Sequence, residues 1–347
     1  MYLIDPYWGF RVPPISSYSA TATQTFSSNP VTMYELSDAT RQCMGYDDDV
    51  IVTSNNTGST TTFYRINQNT GTYTTHSAPF DASGVTVRGT VDESGDVFFA
   101  GKGAPVYLYK IQPDDTNKYV ADSWALASQC CPLGIAQTPR DSGDDYISFN
   151  PSIATSYLTN LNYVAHTCTV LSLGSTPYEP AKQNANITGE RVYCLTSGTY
   201  AISYINTTGH SVVGLVTAAN LPAPGFNLII GDDLNMYIQN GLDIRQYDTS
   251  GNLLNSYTVT GAAGFKLACY TSESGYGYIW AFYPDAAGMK YWKVRVSDMT
   301  LFAGGQLNKH AGLNWSMCVG TRFLDQTSPV LFTANGADFY LGKMVKA

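Results

Sequence analysis

One feature constrains this chain more than any other. A unit of four short strands joined by tight turns recurs along it at a spacing of roughly 45 residues. The clearest copy runs from Gly225 to Gly261. Phe226–Ile230 is an apolar run that ends at Gly231-Asp232-Asp233. Met236–Gln239 follows and ends at Asn240-Gly241. Ile244–Tyr247 alternates apolar and polar residues up to Asp248-Thr249-Ser250-Gly251, and Leu253–Val259 closes the unit. Strands this short, punctuated by Asn-Gly and Asp-x-x-Gly, form antiparallel hairpins. A single four-stranded sheet with two apolar faces cannot bury both, so each copy needs a neighbour of its own kind.

Aligning the second strand of each unit, with the turn before it, gives seven copies. They are GYDDDVIVTS (45–54), DESGDVFFAG (92–101), SGDDYISFN (142–150), ITGERVYCLTS (187–197), GDDLNMYIQN (231–240), SESGYGYIWAF (272–282) and DQTSPVLFTAN (325–335). This is the period of propeller blades. The sequence therefore predicts an all-β chain, a seven-bladed β-propeller of four-stranded antiparallel blades over 31–347. The blades fall near 39–80, 81–125, 126–175, 176–221, 222–262, 263–307 and 308–347. The seventh copy runs out at its third strand, and Val31–Leu36 is strand-like. Residues 31–38 are therefore expected to supply the missing strand and close the ring, which removes two open sheet edges. Residues 1–30, rich in Pro and Ser/Thr, read as an extended N-terminal arm whose aromatics Tyr7, Trp8 and Phe10 pack on the body or dock on a partner.

Composition excludes several classes. Charged residues make up only 13% of the 347 and the net charge is −8, with no Lys/Arg run, so a nucleic-acid surface is not expected. No stretch reaches the length of a membrane-spanning helix, and the start MYLIDPYWGFRVPP lacks the basic and apolar regions of a signal peptide. The seven Cys are odd in number, sit mostly among apolar strand residues and lack metal-ligand spacing. They read as reduced, buried, small hydrophobes of a chain made in the cytoplasm.

In a propeller, the turns joining strands one and two and strands three and four of every blade share one face. Well over half of the 27 carboxylates fall in those turns. Asp47, Asp48, Asp49, Asp144, Asp145, Asp232 and Asp233 are the foremost. One reading is turn chemistry, since Asp side chains bond nearby backbone amides. The other is an acidic face for a basic partner or cations, with a field that steers the partner in.

No catalytic pattern stands out. His76, His166, His210 and His310 are isolated, and neither a metal-binding cluster, a G-x-S-x-G elbow nor a phosphate loop occurs. The first strands, expected innermost, read as RQCMGY, VTVRGT, LGIAQ, ANITG, FNLIIG, FKLACYT and WSMCVGT. They hold no Asp or Glu, which argues against a carboxylate pair on the channel wall. No catalytic residue, cofactor or metal is therefore assigned, and the chain is expected not to be an enzyme. Tyr276, Tyr278, Trp280, Phe282, Tyr283, Tyr291 and Trp292 crowd into the sixth copy. They read as core between blades, with Tyr283 as the ring that could stack on a sugar.

The motif D-x-x-G followed by an apolar strand, a turn and Y-x-I-N/D resembles the broad family of seven-bladed β-propellers. Tyr64-Arg65-Ile66-Asn67 and Arg245-Gln246-Tyr247-Asp248 look like repeats of quinoprotein-like propellers. The low charge and the Ser/Thr/Asn/Gly/Tyr-rich composition resemble structural or tail-associated propeller proteins of bacteriophage virions. That resemblance implies a structural, host-contacting module of a virion. Its partners would be other virion proteins, met through the arm or the acidic face, or a host surface glycan or protein. The alternatives are an extracellular carbohydrate-binding or carbohydrate-cleaving propeller and an intracellular scaffold.

Overall fold

The computed structural model describes strands from Leu3 to Lys346. It describes side chains at 181, 190–196, 201–206, 211–217, 219–221, 227–267, 269–283 and 290–306. Among the described residues the one helical segment is a 3-10 turn at Ala218–Asn220. Everything else that is regular is antiparallel sheet, as a Thr- and Tyr-rich chain with frequent turn residues favours.

Four-stranded sheets follow one another along the chain. Numbered in order, the first six cover residues 44–78, 88–124, 130–172, 178–216, 225–258 and 266–308. In each, the order in space is the order in sequence, so each is a meander. A further sheet combines Cys318–Gly320, Val330–Asn335 and Asp338–Lys346 with Tyr18–Ser27 from the other end of the chain. The expected partner for the C-terminal strand was 31–36. The strand that pairs is Tyr18–Ser27, YSATATQTFS, whose Thr-rich run favours extended backbone and whose ten residues match the nine of Asp338–Lys346. Residues 31–36 lie outside the described residues. Within the stretch read as an arm, Leu3–Ile4 also pairs with Arg11–Val12, and Tyr7, Trp8 and Phe10 lie between them in sequence, outside the described residues.

The fifth sheet shows how two apolar faces are buried. Leu228, Ile230, Met236, Ile238 and Tyr247 pack into one cluster with Val192, Cys194, Ile202 and Ile205 of the fourth sheet. Ile229, Tyr237 and Ile244 point the other way and pack with Leu267, Tyr270, Ile279 and Val294 of the sixth. The alternation follows from the two-residue side-chain period of a strand. First strands of several neighbouring sheets touch, those of the fifth and sixth among them. The buried thiols of Cys194 and Cys269 are free, and burial pushes both well above the usual thiol range, which leaves them inert.

The turns are of few kinds. Ser274 and Gly275, both with positive φ, form the two-residue hairpin loop between Glu273 and Tyr276. Gly231 to Asn235 and Asp248 to Asn252 are a matched pair of longer turns. Each is closed by two backbone hydrogen bonds, and each has its fourth residue in the left-handed region, Leu234 in one and Gly251 in the other. Asp248 holds its own turn. Its side chain accepts from the amides of Ser250 and Asn252 and from Asn252 Nδ2, and these bonds, the Asn252 side chain first, hold the carboxyl below the usual range. A Cβ on Gly251 would lie 2.5 Å from the Leu215 carbonyl oxygen of the fourth sheet. Gly251→Ala is expected to cost about 2 kcal/mol, through left-handed strain and loss of this close approach. A drop in the urea midpoint checks it.

Candidate functional site

The site is built where the turn-bearing edges of the fifth and sixth sheets meet. Gly231 ends the first strand of the fifth sheet, and a Cβ there would come within 2.9 Å of the rings of both Tyr237 and Tyr270. Gly277, in the second strand of the sixth sheet, is equally constrained, since a Cβ would lie 2.1 Å from the Tyr270 hydroxyl oxygen. Two glycines thus make the slot that holds the Tyr270 ring against Tyr237, with centroids 5.9 Å apart.

Polar groups are tied to this aromatic floor. The Tyr237 hydroxyl donates to Asp233 Oδ2 at 2.6 Å and accepts from Gln246 Nε2 at 3.1 Å. Asn235 donates twice to Asp233, from its backbone amide at 3.1 Å and from Nδ2 at 2.9 Å. Ser272 Oγ donates to Asp232 Oδ2 at 2.9 Å and so bridges the two sheets. Burial, reinforced by the bond to Asp233, pushes the Tyr237 phenol far above its usual range. Burial and the nearby charge of Asp233 raise Tyr270 in the same way. Both phenols stay protonated and keep an O–H.

Asp233, Asn235, Gln246 and Tyr270 of this network line an open groove of about 490 Å³. Asp233, Asn235, Gln246 and Asn255 come from the fifth sheet. Tyr270, the Gly275-Tyr276-Gly277 segment and Val296-Ser297 come from the sixth. Tyr276 stands at the rim, 53% exposed. The Ser297 turn is braced by Arg295, which makes a two-point ion pair with Asp298 while Thr300 Oγ1 donates to Asp298 at 2.8 Å. Burial would raise the Asp298 carboxyl, but the bonds from Arg295 and Thr300 outweigh it and hold the group below its usual range. Behind the rim, the fully buried Lys293 pairs with Glu273. Its ammonium lies 4.1 Å from the Tyr278 ring centroid and 5.1 Å from those of Trp280 and Phe302.

Asp232 and Asp233, expected on the turn face, lie in the turn between the first two strands of the fifth sheet, exposed, and both already accept hydrogen bonds. Asp144 and Asp145 open the strand Asp144–Pro151, paired with Asn162 and Leu161. Asp49 opens Asp49–Thr53. The side chains of these three, and Asp47 and Asp48 altogether, lie outside the described residues. Tyr278, Trp280, Phe282, Tyr291 and Trp292 are core, as their alternation implies. Tyr283, the ring that could stack on a sugar, is partly buried and packs on the core between the fifth and sixth sheets, while Tyr276 is an exposed ring. The first strands also differ from expectation. That of the fourth sheet is Tyr178–Pro180, not ANITG, and that of the sixth runs to Glu273, so Glu179 and Glu273 fall in first strands. Among the described residues no three His, Cys, Asp or Glu side chains group as a metal ion would need.

No protein-family model matches the chain. No curated protein matches it in sequence. Its fold, however, is similar to solved β-propellers. Virginiamycin B lyase from Staphylococcus aureus, in a catalytically inactive form with quinupristin, superposes with a TM-score of 0.60 at 14% identity, covering 93% of this chain and 99% of that one. The selenomethionine form of the same lyase gives 0.62 at 14% identity and the same coverage. A prolyl endopeptidase superposes with a TM-score of 0.55 at 8% identity, covering 84% of this chain and 46% of the other. The chain has a β-propeller fold. The expectation that it is not an enzyme does not stand, since these similar folds belong to a lyase and a peptidase. The similarities support the propeller and lend nothing to a resemblance to phage virion proteins.

Proposed function

We propose that the chain is a seven-bladed propeller, closed by Tyr18–Ser27 on Asp338–Lys346, that recognises a ligand in the groove between its fifth and sixth sheets. The succession of four-stranded sheets and that terminal pairing support the ring. The observation that carries the recognition role is the convergence of polar and aromatic groups from two sheets on one open concavity, held by a hydrogen-bonded floor. The same groove would serve a virion component that meets a host surface, the setting composition suggests, and mass spectrometry of a purified particle would place it there.

The test is a block of the groove. Ser297 is exposed on its wall, so Ser297→Trp inserts a ring without touching the core. Labelled full-length protein is applied to arrays of glycans and of peptides. The expected result is selective retention that falls at least ~10-fold in the variant at an unchanged melting temperature. Retention equal in both proteins would put the ligand site elsewhere.

A further inference from the structure

Resting on that reading of the groove, we infer that its ligand is an uncharged saccharide, stacked on Tyr276 and hydrogen-bonded by the amides beneath it. The choice of class follows from what each group has left to offer. A cationic ligand needs carboxylates free to pair with it. Asp233 already accepts from Tyr237 and twice from Asn235, and Asp232 accepts from Ser272. An anionic ligand is disfavoured by the same two carboxylates and by a net charge of −8. A neutral polyhydroxylated ring suits what remains. Asn235 and Gln246 each spend one N–H on Asp233 and Tyr237, and Asn255 Oδ1 accepts from the Ser256 amide, but a side-chain amide has two N–H donors and a two-lone-pair oxygen, so all three keep capacity both to donate and to accept, as hydroxyl groups require. Tyr276 presents a ring that is more than half exposed at the rim, where the apolar face of a sugar can lie flat. Gln246 and Tyr270 are more than nine-tenths buried, so the floor is rigid before any ligand arrives.

Tyr276 is also placed for this role by its backbone. It is the first residue after the Ser274-Gly275 loop, whose two positive φ angles fix the hairpin's twist. Side chains alternate across a strand, so Tyr278, next but one, shares its face but is buried. The strand thus passes its aromatic row out of the core at one position, and that position is at the groove.

Titration of the full chain with neutral hexose oligomers, with sulfated oligosaccharides and with a Lys/Arg-rich peptide tests the inference, at 0.15 M and again at ~1 M NaCl, where the screening length falls from about 8 to about 3 Å. The expected result is saturable binding of a neutral oligomer that changes less than ~2-fold with salt. Tyr276→Ala should weaken it at least ~10-fold, Tyr276→Trp should retain it, and Asn255→Ala should weaken it without loss of the ring. Binding of the peptide or the sulfated oligosaccharide that collapses at high salt and depends on Tyr276 would overturn the saccharide assignment and leave the groove as the site. If no probe of any class responds to Tyr276→Ala or to Ser297→Trp, the groove reading falls with it.

Discussion

Trp280→Ala is expected to lower stability by about 4 kcal/mol, the range for removing a fully buried large aromatic. Trp280 has no exposed surface, and its indole N–H donates at 2.8 Å to Thr271 Oγ1, itself fully buried. Phe282 lies parallel to it at 6.2 Å and Tyr291 tilts against it at 6.2 Å. Alanine would open a cavity, strand a buried hydroxyl and remove one wall of the box around Lys293. Trp280→Phe separates these effects. It keeps most of the volume and loses the N–H, so about 1–2 kcal/mol is expected. Urea unfolding followed by circular dichroism reads both, and equal midpoints for Trp280→Ala and the native chain would show that this sheet is not packed as described.

The fold was legible because its signal is repeated. In the fifth sheet, Asn240-Gly241 and Asp248–Gly251 mark turns that the structure places there, and the apolar runs between them are its strands. The expected two-faced burial follows from the same pattern, as Leu228, Ile229 and Ile230 alternate between the fourth and sixth sheets. The partner of the C-terminal strand was not legible, since Val31–Leu36 and Tyr18–Ser27 have comparable strand character and only long-range pairing chooses between them. The site was half legible. Asp232 and Asp233 stood out as turn residues, and their bonds to Ser272, Tyr237 and Asn235 show how far turn chemistry accounts for them. Tyr276 was seen only as one of a row of aromatics. Composition cannot tell which ring of a row leaves the core, because that depends on where the strand passes the hairpin loop. Gly231 and Gly277 gave no signal at all. Their meaning comes from Tyr270, 39 residues after one and seven before the other, filling the space that a side chain would occupy.

Glu273→Ala is expected to cost about 3 kcal/mol, because it removes the carboxylate that pairs with the buried Lys293 ammonium. Lys293 has no exposed surface, while the Glu273 side chain keeps 25%, so the loss sits at the low end of the range for breaking a buried pair. The rings of Tyr278, Trp280 and Phe302 soften the penalty by cation–π attraction but cannot accept a proton-borne hydrogen bond as a carboxylate does. Lys293→Met with Glu273→Ala removes both charges and fills the box with an apolar side chain, so the double variant should recover most of the loss. The cycle also bears on the groove. Glu273 is the residue before the Ser274-Gly275 loop and Tyr276 the residue after it, so the ion pair anchors the hairpin that carries the exposed ring. If the pair serves stability alone, the double variant will bind a Tyr276-dependent ligand as the native chain does. If it also positions the ring, stability will return and affinity will not.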